Sequence, residues 1–307
     1  MKNPKILVAV DFSDLSTHAL KAAHIFAQRF NGTITPFHAY IPVTDLDSFH
    51  YVGSGASPHE KYGDIEKMLS QRLRDTAMFY LSEEYLNDPI LDVGNAARAI
   101  TYNAKDFDLV IMGTHGRTGF SRFLMGSVTE KVLRMCNKPM ITVTSSSDLD
   151  KFSSLLVTTD MSENSFHAFP YANSIAEITK SKIDLVHVVS NEQYFDARAA
   201  DQTARERELE LEKLAEKYFG NIRQQVTPQV IIGNKAPHEE IQKLARDKKY
   251  NLLVISSVGR TGLDYLMMGS TASHVVRSVR NAVFIINPRG ISDDKARELH
   301  YQNQKNS

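Results

Sequence analysis

One cysteine, Cys136, stands in 307 residues. No disulfide can close within the chain, so a fold stapled by sulfur is excluded and a reducing compartment fits. Charge of one sign is also missing: Lys+Arg and Asp+Glu both number 36, for a formal net charge of zero. That removes the overall electrostatic footprint of a protein whose main partner is DNA, RNA or an anionic membrane. A local basic patch stays compatible with a neutral total. Long apolar runs are absent too. The N-terminal run from Ile6 to Val10 ends at Asp11, whereas a membrane span needs about 20 apolar residues and a signal-peptide core needs a longer run with a small-residue cleavage site. These absences lead to the expectation of a soluble, cytoplasmic protein with neither nucleic acid nor membrane as partner.

What is present is a domain written twice. VAVDFSDLSTHAL (8–20) returns as VTTDMSENSFHAF (157–169), so Asp11 and Asp160, Ser13 and Ser162, and His18 and His167 are each 149 positions apart. FHAY (37–40) and VHVV (186–189) keep that offset. Further on, VGN (93–95) matches IGN (232–234), and DLVIMGTHGRTG (108–119) matches NLLVISSVGRTG (251–262) with an offset of 143. Gly126-Ser127 matches Gly269-Ser270, and KPMITVT (138–144) matches NAVFIIN (281–287). A period of about 145 residues is far above solenoid size. The spacing implies tandem duplication of a whole domain, with domains at 1–147 and 148–290 and a polar tail at 291–307.

Within each copy short apolar runs alternate with helical patterns. KILVAV, TITPFHAY, DLVIMG and MITVT read as buried strands, with a short third strand at Ile90 to Val93 and its counterpart at Gln225 to Ile232. Leu15 to Phe30 has apolar residues at helical spacing after Ser13, an N-cap candidate. A long polar helix is expected from about Pro58 to Leu86, preceded by a loop at Gly53 and Gly55, and another helix from Ala96 to Lys105. A last helix opens at Gly126-Ser127 and stops before Pro139. The join between copies is the polar stretch Ser145 to Phe152. Such alternation predicts an α/β fold, a parallel sheet with right-handed crossovers and helices on both faces.

The segment GTHGRTGFSRFLMGSVTEKVLR (113–134) follows the fourth strand of the first copy. Ligands of open parallel sheets sit beyond the carboxyl ends of the strands, where the topology switches sides. Asp11 ends strand one and Gly113 ends strand four, so the two can be neighbours there. Glycine-rich backbone exposes N–H groups, and the helix opening at Ser127 adds a dipole favourable to anions. A nucleotide fits, with phosphates at Gly126-Ser127 and Asp11 toward base or ribose. The spacing G-x2-G-x9-G-S is neither the Gly-Lys-Ser/Thr phosphate loop nor the G-x-G-x-x-G dinucleotide turn.

With the strand-one Asp, the His near the end of strand two, the GNKAPHEEI start of a helix (233–241) and the Lys-Pro before strand five, the sequence resembles the universal stress protein family. The resemblance covers both halves. It implies two tandem Rossmann-like domains, each a five-stranded parallel sheet in the order 3-2-1-4-5. It also implies that Asp11 contacts adenine, that Ala39 lines the base pocket through its backbone, and that Met112 and Gly113 lie by the ribose. Gly116, Gly126, Ser127 and Val128 would hold the phosphates. The copy-two counterparts are Asp160, Val188, Ile255, Ser256, Gly259, Gly269, Ser270 and Thr271. The implied ligand is ATP, with AMP and ADP as alternatives, and Mg²⁺ would enter only with the phosphates. Ser256 replaces the first glycine; if that position needs φ > 0 or a close ribose, its Cβ costs about 1 kcal/mol. The first domain's motif is therefore read as intact and the second's as degenerate, and ATP binding is expected mainly in the first copy.

Plainer readings stand beside these. Asp11 and Asp160 can cap the following helix, and His18, His167, His38 and His187 lack the spacing of metal ligands. Arg117 and Arg260 are phosphate candidates or exposed loop residues. Arg205 to Lys217 is a mixed-charge helical face. No Walker lysine, paired acidic metal site or His-x-Gly-His motif is evident, so an ATP-binding regulatory protein is favoured over a slow ATPase or self-phosphorylating enzyme. A scaffold is the third class. In it the fifth strands, ITVT and FIIN, pair the two domains as an internal dimer, with a homodimer of chains as a further option.

Overall fold

A computed structural model describes residues 1–41, 58–114, 125–190, 197–259 and 268–289. The first half opens with β1 (Lys5–Ala9), α1 (Asp14–Phe30) and β2 (Thr33–Tyr40). Ser13 caps α1, its hydroxyl accepting from the Ser16 N–H, and Asn31 ends the helix at φ 53°. Gly32 follows because only a residue without Cβ fits there: an added Cβ would lie 2.5 Å from the Pro4 carbonyl oxygen. The half continues through α2 (Pro58–Tyr80), β3 (Ile90–Val93), α3 (Ala96–Asn103), β4 (Leu109–Gly113), α4 (Ser127–Met135) and β5 (Met140–Val143).

The second half repeats this order as β6 (Ser154–Thr159), α5 (Glu163–Phe166), α6 (Phe169–Thr179), β7 (Lys182–Ser190), α7 (Ala197–Phe219), β8 (Val226–Gly233), α8 (Pro237–Asp247), β9 (Leu252–Ser256), α9 (Ser270–Ser278) and β10 (Ala282–Ile286). The expected loop at Gly53 and Gly55 and the tail at 291–307 lie outside the described residues.

Two elements differ from the sequence expectation. The helix expected to reach Leu86 stops at Tyr80, because Ser82 is extended and the chain turns back so that Leu86 bridges Ile34 of β2 ahead of β3. The second copy of the first helix is broken into α5 and α6. Pro170 has no N–H for the Phe166 carbonyl, and His167 becomes the C-cap of α5 instead of an interior helix residue.

The strands form one sheet in the order β3-β2-β1-β4-β5-β10-β9-β6-β7-β8. Pairing is parallel inside each half, so each is a five-stranded sheet of order 3-2-1-4-5. Where the halves meet, β5 and β10 run antiparallel, with Ile141 opposite Phe284. Two side-chain bonds cross this seam in opposite directions from the matched residues Thr144 and Asn287. Thr144 Oγ1 donates to the Arg280 carbonyl at 2.6 Å, and Asn287 Nδ2 donates to the Cys136 carbonyl at 3.0 Å.

Side chains alternate between the faces of the sheet. Ile6, Val8 and Ile111 join one buried cluster and Leu7, Val110 and Met112 the other, and each cluster holds residues of both halves. Cys136 is buried, and that burial pushes its thiol pKa up. Among the described residues no helix is long and apolar enough to cross a membrane.

Phe152, at the end of the join, is fully buried and meets Phe26 of α1 edge-on at 5.1 Å. It therefore ties the first half's core to the start of β6. Phe152→Ala is expected to cost about 3–5 kcal/mol. Denaturant unfolding followed by circular dichroism measures this, and a loss below about 1 kcal/mol would mean that the ring does not join the two cores.

Candidate functional site

At the carboxyl end of each half-sheet the chain leaves the first strand through an Asp in the same local structure. Asp11 Oδ1 accepts from the Ser13 N–H at 3.0 Å and the Ser13 hydroxyl at 2.5 Å; Asp160 Oδ1 does the same with Ser162 at 3.1 and 2.6 Å. The residue between them, Phe12 or Met161, has φ 63° or 65°. A left-handed non-glycine residue is unfavourable by itself, and this one recurs in both copies, as do Asn3 with Phe152 and Asn31 with Lys180. The Ser, and not the Asp, caps the helix. The Asp instead fixes the cap, so the simple capping reading of Asp11 and Asp160 does not hold.

The strand-two histidines are ties between strands. His38 Nδ1 lies 2.7 Å from the Val10 carbonyl and His187 Nδ1 lies 2.8 Å from the Thr159 carbonyl. A carbonyl can only accept, so in each ring Nδ1 carries the proton. These bonds hold the end of the second strand to the end of the first, beside Ala39 and Val188.

In the second half a cavity of about 260 Å³ opens at this end. Asp160, Val188, Ile255 and Ser256 of β9, Gly259, Gly269, Ser270 and Thr271 are among the residues that line it. All eight copy-two residues named from the sequence therefore meet around one space. Gly259 packs against the Asp160 carboxylate, where an added Cβ would lie 2.3 Å from Oδ2. Asn164 Nδ2 donates to the Gly259 carbonyl at 3.3 Å. The Gly269 N–H donates to the Ser257 carbonyl at 2.7 Å, which brings the start of α9 against the end of β9. The first-turn N–H groups of α9 are left over by helix geometry, so they and the helix dipole favour an anion at this opening.

Ser256 removes one objection to this site. It lies in β9, paired with Ile286, and is not among the described residues with positive φ. Its matched residue Gly113 is likewise a strand residue, paired with Val143. The backbone cost attached to a serine here does not arise. Ser256 Oγ instead donates to the Val258 carbonyl at 2.9 Å and shapes the turn that leaves the strand.

The first half places its candidates at the same end. Asp11 follows β1, Ala39 lies in β2, and Met112 and Gly113 close β4, while β1 pairs with both β2 and β4. Gly126 is the N-cap of α4, and Ser127 and Val128 form its first turn. The Gly126 N–H donates to the Thr114 carbonyl at 2.6 Å, the counterpart of the Gly269 bond. Gly116, Arg117 and Arg260 lie outside the described residues.

Several wall residues were not named from the sequence: Thr158, Thr159, Ser165, Pro237 and Ser257. The repeat carried a signal for two of them, since Ser16 recurs as Ser165 and Thr114 as Ser257. Ser165 Oγ lies 2.7 Å from Thr159 Oγ1. The buried Ser257 hydroxyl has no hydrogen-bond partner among the described residues. Beside Pro237, His238 stacks on His274 of α9 with ring centroids 4.3 Å apart. Burial, and next the neighbouring His274, push the His238 pKa below its ordinary 6.5.

Comparison with known proteins matches the Universal stress protein family at residues 2–144 and again at 151–287. Universal stress protein MJ0577 of Methanocaldococcus jannaschii is 29% identical over 151 residues, 45% of this chain and 93% of its own length. Universal stress protein E of Escherichia coli K12 is 23% identical, covering 92% of this chain and 93% of its own. A crystal structure of a universal stress protein from Archaeoglobus fulgidus superposes with a TM-score of 0.63 at 20% identity, covering 93% of this chain and 97% of that one.

Two outcomes follow from this geometry. Gly259→Ala forces the Asp160 carboxylate or the Gly259 turn to move, and a loss of about 1–3 kcal/mol is expected by thermal unfolding; unchanged stability would show that the turn yields freely. His238 titrates below its unfolded value, so the folded state binds its proton less readily and its contribution is lost as pH falls through 6.5. His238→Gln should therefore flatten part of the decline in melting temperature between about pH 7 and pH 5. Parallel melting curves for the two proteins across that range would contradict this.

Proposed function

The chain belongs to the universal stress protein family over both halves, and from that membership together with the pocket geometry we propose that it is an adenine-nucleotide-binding regulatory protein of the stress response. In this reading the domains are residues 1–147 and 148–290, followed by the polar tail, and the protein works in the cytoplasm. The halves act as an internal dimer through β5 and β10. A covalently linked second copy is always present at high effective concentration and covers an apolar edge that would otherwise recruit other chains.

The single observation that carries the nucleotide reading is the meeting of eight sequence-named residues around the cavity at the start of α9. At about 260 Å³ it is just below the roughly 300–1,000 Å³ of small-molecule clefts. We assign base and sugar to the enclosed part, beside Asp160, Val188 and Ile255, and phosphates to the opening, at Gly269, Ser270 and Thr271. Asp11, Ala39, Met112 and Gly113 take the same parts in the first half, with Gly116, Gly126, Ser127 and Val128 at the phosphates. ATP is the proposed ligand, with AMP and ADP as the competing forms and Mg²⁺ arriving with the phosphates. Since the Ser256 backbone is regular strand, both halves are proposed to bind.

Mass spectrometry of small molecules released on denaturing gently purified protein is expected to find an adenine nucleotide. Titration calorimetry with ATP is expected to lose one site in Gly126→Val and one in Gly269→Val, because each adds methyl groups at a helix start. No binding by the unaltered chain, or full binding by both variants, would overturn the proposal. Rapid turnover abolished by Asp11→Ala without loss of affinity would move the protein to the enzymes.

A further inference from the structure

At the other end of the second half, where its strands begin, a cleft of about 700 Å³ lies between the ends of α8 and α9 and the join. Its walls carry four cations, Lys151, Arg246, Lys249 and Arg280, against one acid, Asp148. All four cations are exposed. Among the described residues no carboxylate pairs with Lys151, Lys249 or Arg280, and Arg246 only touches the exposed Asp247 at 3.4 Å. The wall therefore carries a formal charge of +3 (four cations less one acid) in a chain whose total is zero. Buried Tyr250 and Val279 add apolar surface to it.

Cations near helix C-termini ordinarily offset the dipole, and α8 and α9 both end here. The duplication tests that explanation, because α3 and α4 end at the matching place in the first half. The residues before β4 are Lys105-Asp106-Phe107-Asp108, and those before β9 are Lys248-Lys249-Tyr250-Asn251. Asn137-Lys138 before β5 becomes Arg280-Asn281 before β10. Two lysines and two aspartates sum to zero in the first half; two lysines and one arginine sum to +3 in the second. Dipole compensation applies equally to both halves and does not produce this difference.

Asn251 makes the point at atomic level. Asp108 Oδ2 accepts from the Lys5 N–H at 2.8 Å, and Asn251 Oδ1 accepts from the matching Ser154 N–H at 3.1 Å. The second half keeps the structural bond and sheds the negative charge.

We propose that this cleft is a second binding site, separate from the nucleotide pocket, for a small polyanion bearing phosphate or pyrophosphate groups. Lys249 and Arg280 bind the anion, with Lys151 and Arg246 widening the positive field. Its volume lies within the roughly 300–1,000 Å³ range of small-molecule clefts, and its concave wall suits a small ligand better than an extended chain. Because the join supplies Ser146, Asp148 and Lys151 to the wall, an occupant touches the link between the halves as well as α8 and α9.

The test is titration of inorganic pyrophosphate into the full chain at low ionic strength, with the double variant Lys249→Asp/Arg280→Asn beside it. These changes restore the residues of the first half at exposed positions, and an unchanged melting curve checks the fold. Binding is expected to weaken about tenfold or more in the double variant and to depend less on salt, while Gly269→Val leaves a pyrophosphate site intact. Equal affinity in the double variant would overturn the proposal. So would complete loss of pyrophosphate binding in Gly269→Val, which would place the anion in the nucleotide pocket. Tighter binding of an oligoglutamate peptide than of pyrophosphate, lost in the double variant, would replace it with an acidic-peptide site.

Discussion

The first strand of each half is paired on both sides, β1 between β2 and β4 and β6 between β7 and β9. With right-handed parallel crossovers, the steps β1-β2-β3 and β3-β4-β5 cross the sheet in opposite directions, as do β6-β7-β8 and β8-β9-β10. The connections leaving the adjacent strands β1 and β4, or β6 and β9, therefore go to opposite faces. A crevice must open beyond their carboxyl ends, and no loop sequence can close it without giving up that strand order. The Asp of the first strand, the histidine tie of the second, the end of the fourth strand and the start of the last helix are all carried to that crevice by the sheet.

That constraint explains why strain is tolerated at Phe12 and Met161. Each left-handed residue turns the chain sharply from the central strand into its helix, so that one Asp oxygen fixes the helix cap. In the second half the other oxygen lies against Gly259. A side chain there would separate the first strand from the turn that follows β9. The geometry that fixes the cap also keeps one wall of the pocket in place.

Duplication gives each half a reference. Where both copies keep a device, as at the Asp–Ser turn and the histidine tie, fold geometry accounts for it in both. Where they diverge inside an unchanged frame, the difference needs another cause. Asn251 retains the backbone bond of Asp108 while the surrounding charge changes from neutral to strongly positive.

The order of elements, the repeat and the helix start at Ser127 were legible because they rest on local periodicity and capping. Gly126 precedes its helix by one residue, and Leu15 to Phe30 shows its apolar face over a few turns. The end of α2 was not legible, since the pairing of Leu86 with Ile34 stops that helix and nothing in its composition does. The break at Pro170 could have been read, because the missing N–H is a property of the residue itself.

By itself the sequence determined which chemical groups exist, that they occur twice, and which elements carry them. Only the tertiary structure decided that Ser256 is unstrained strand, that Asp160 packs on Gly259, and that four cations share one cleft. The reason is range. Propensity and capping act over a few residues. Asp160 and Gly259 are brought together by the register of β6 on β9, which depends on every strand and helix that closes the sheet between them.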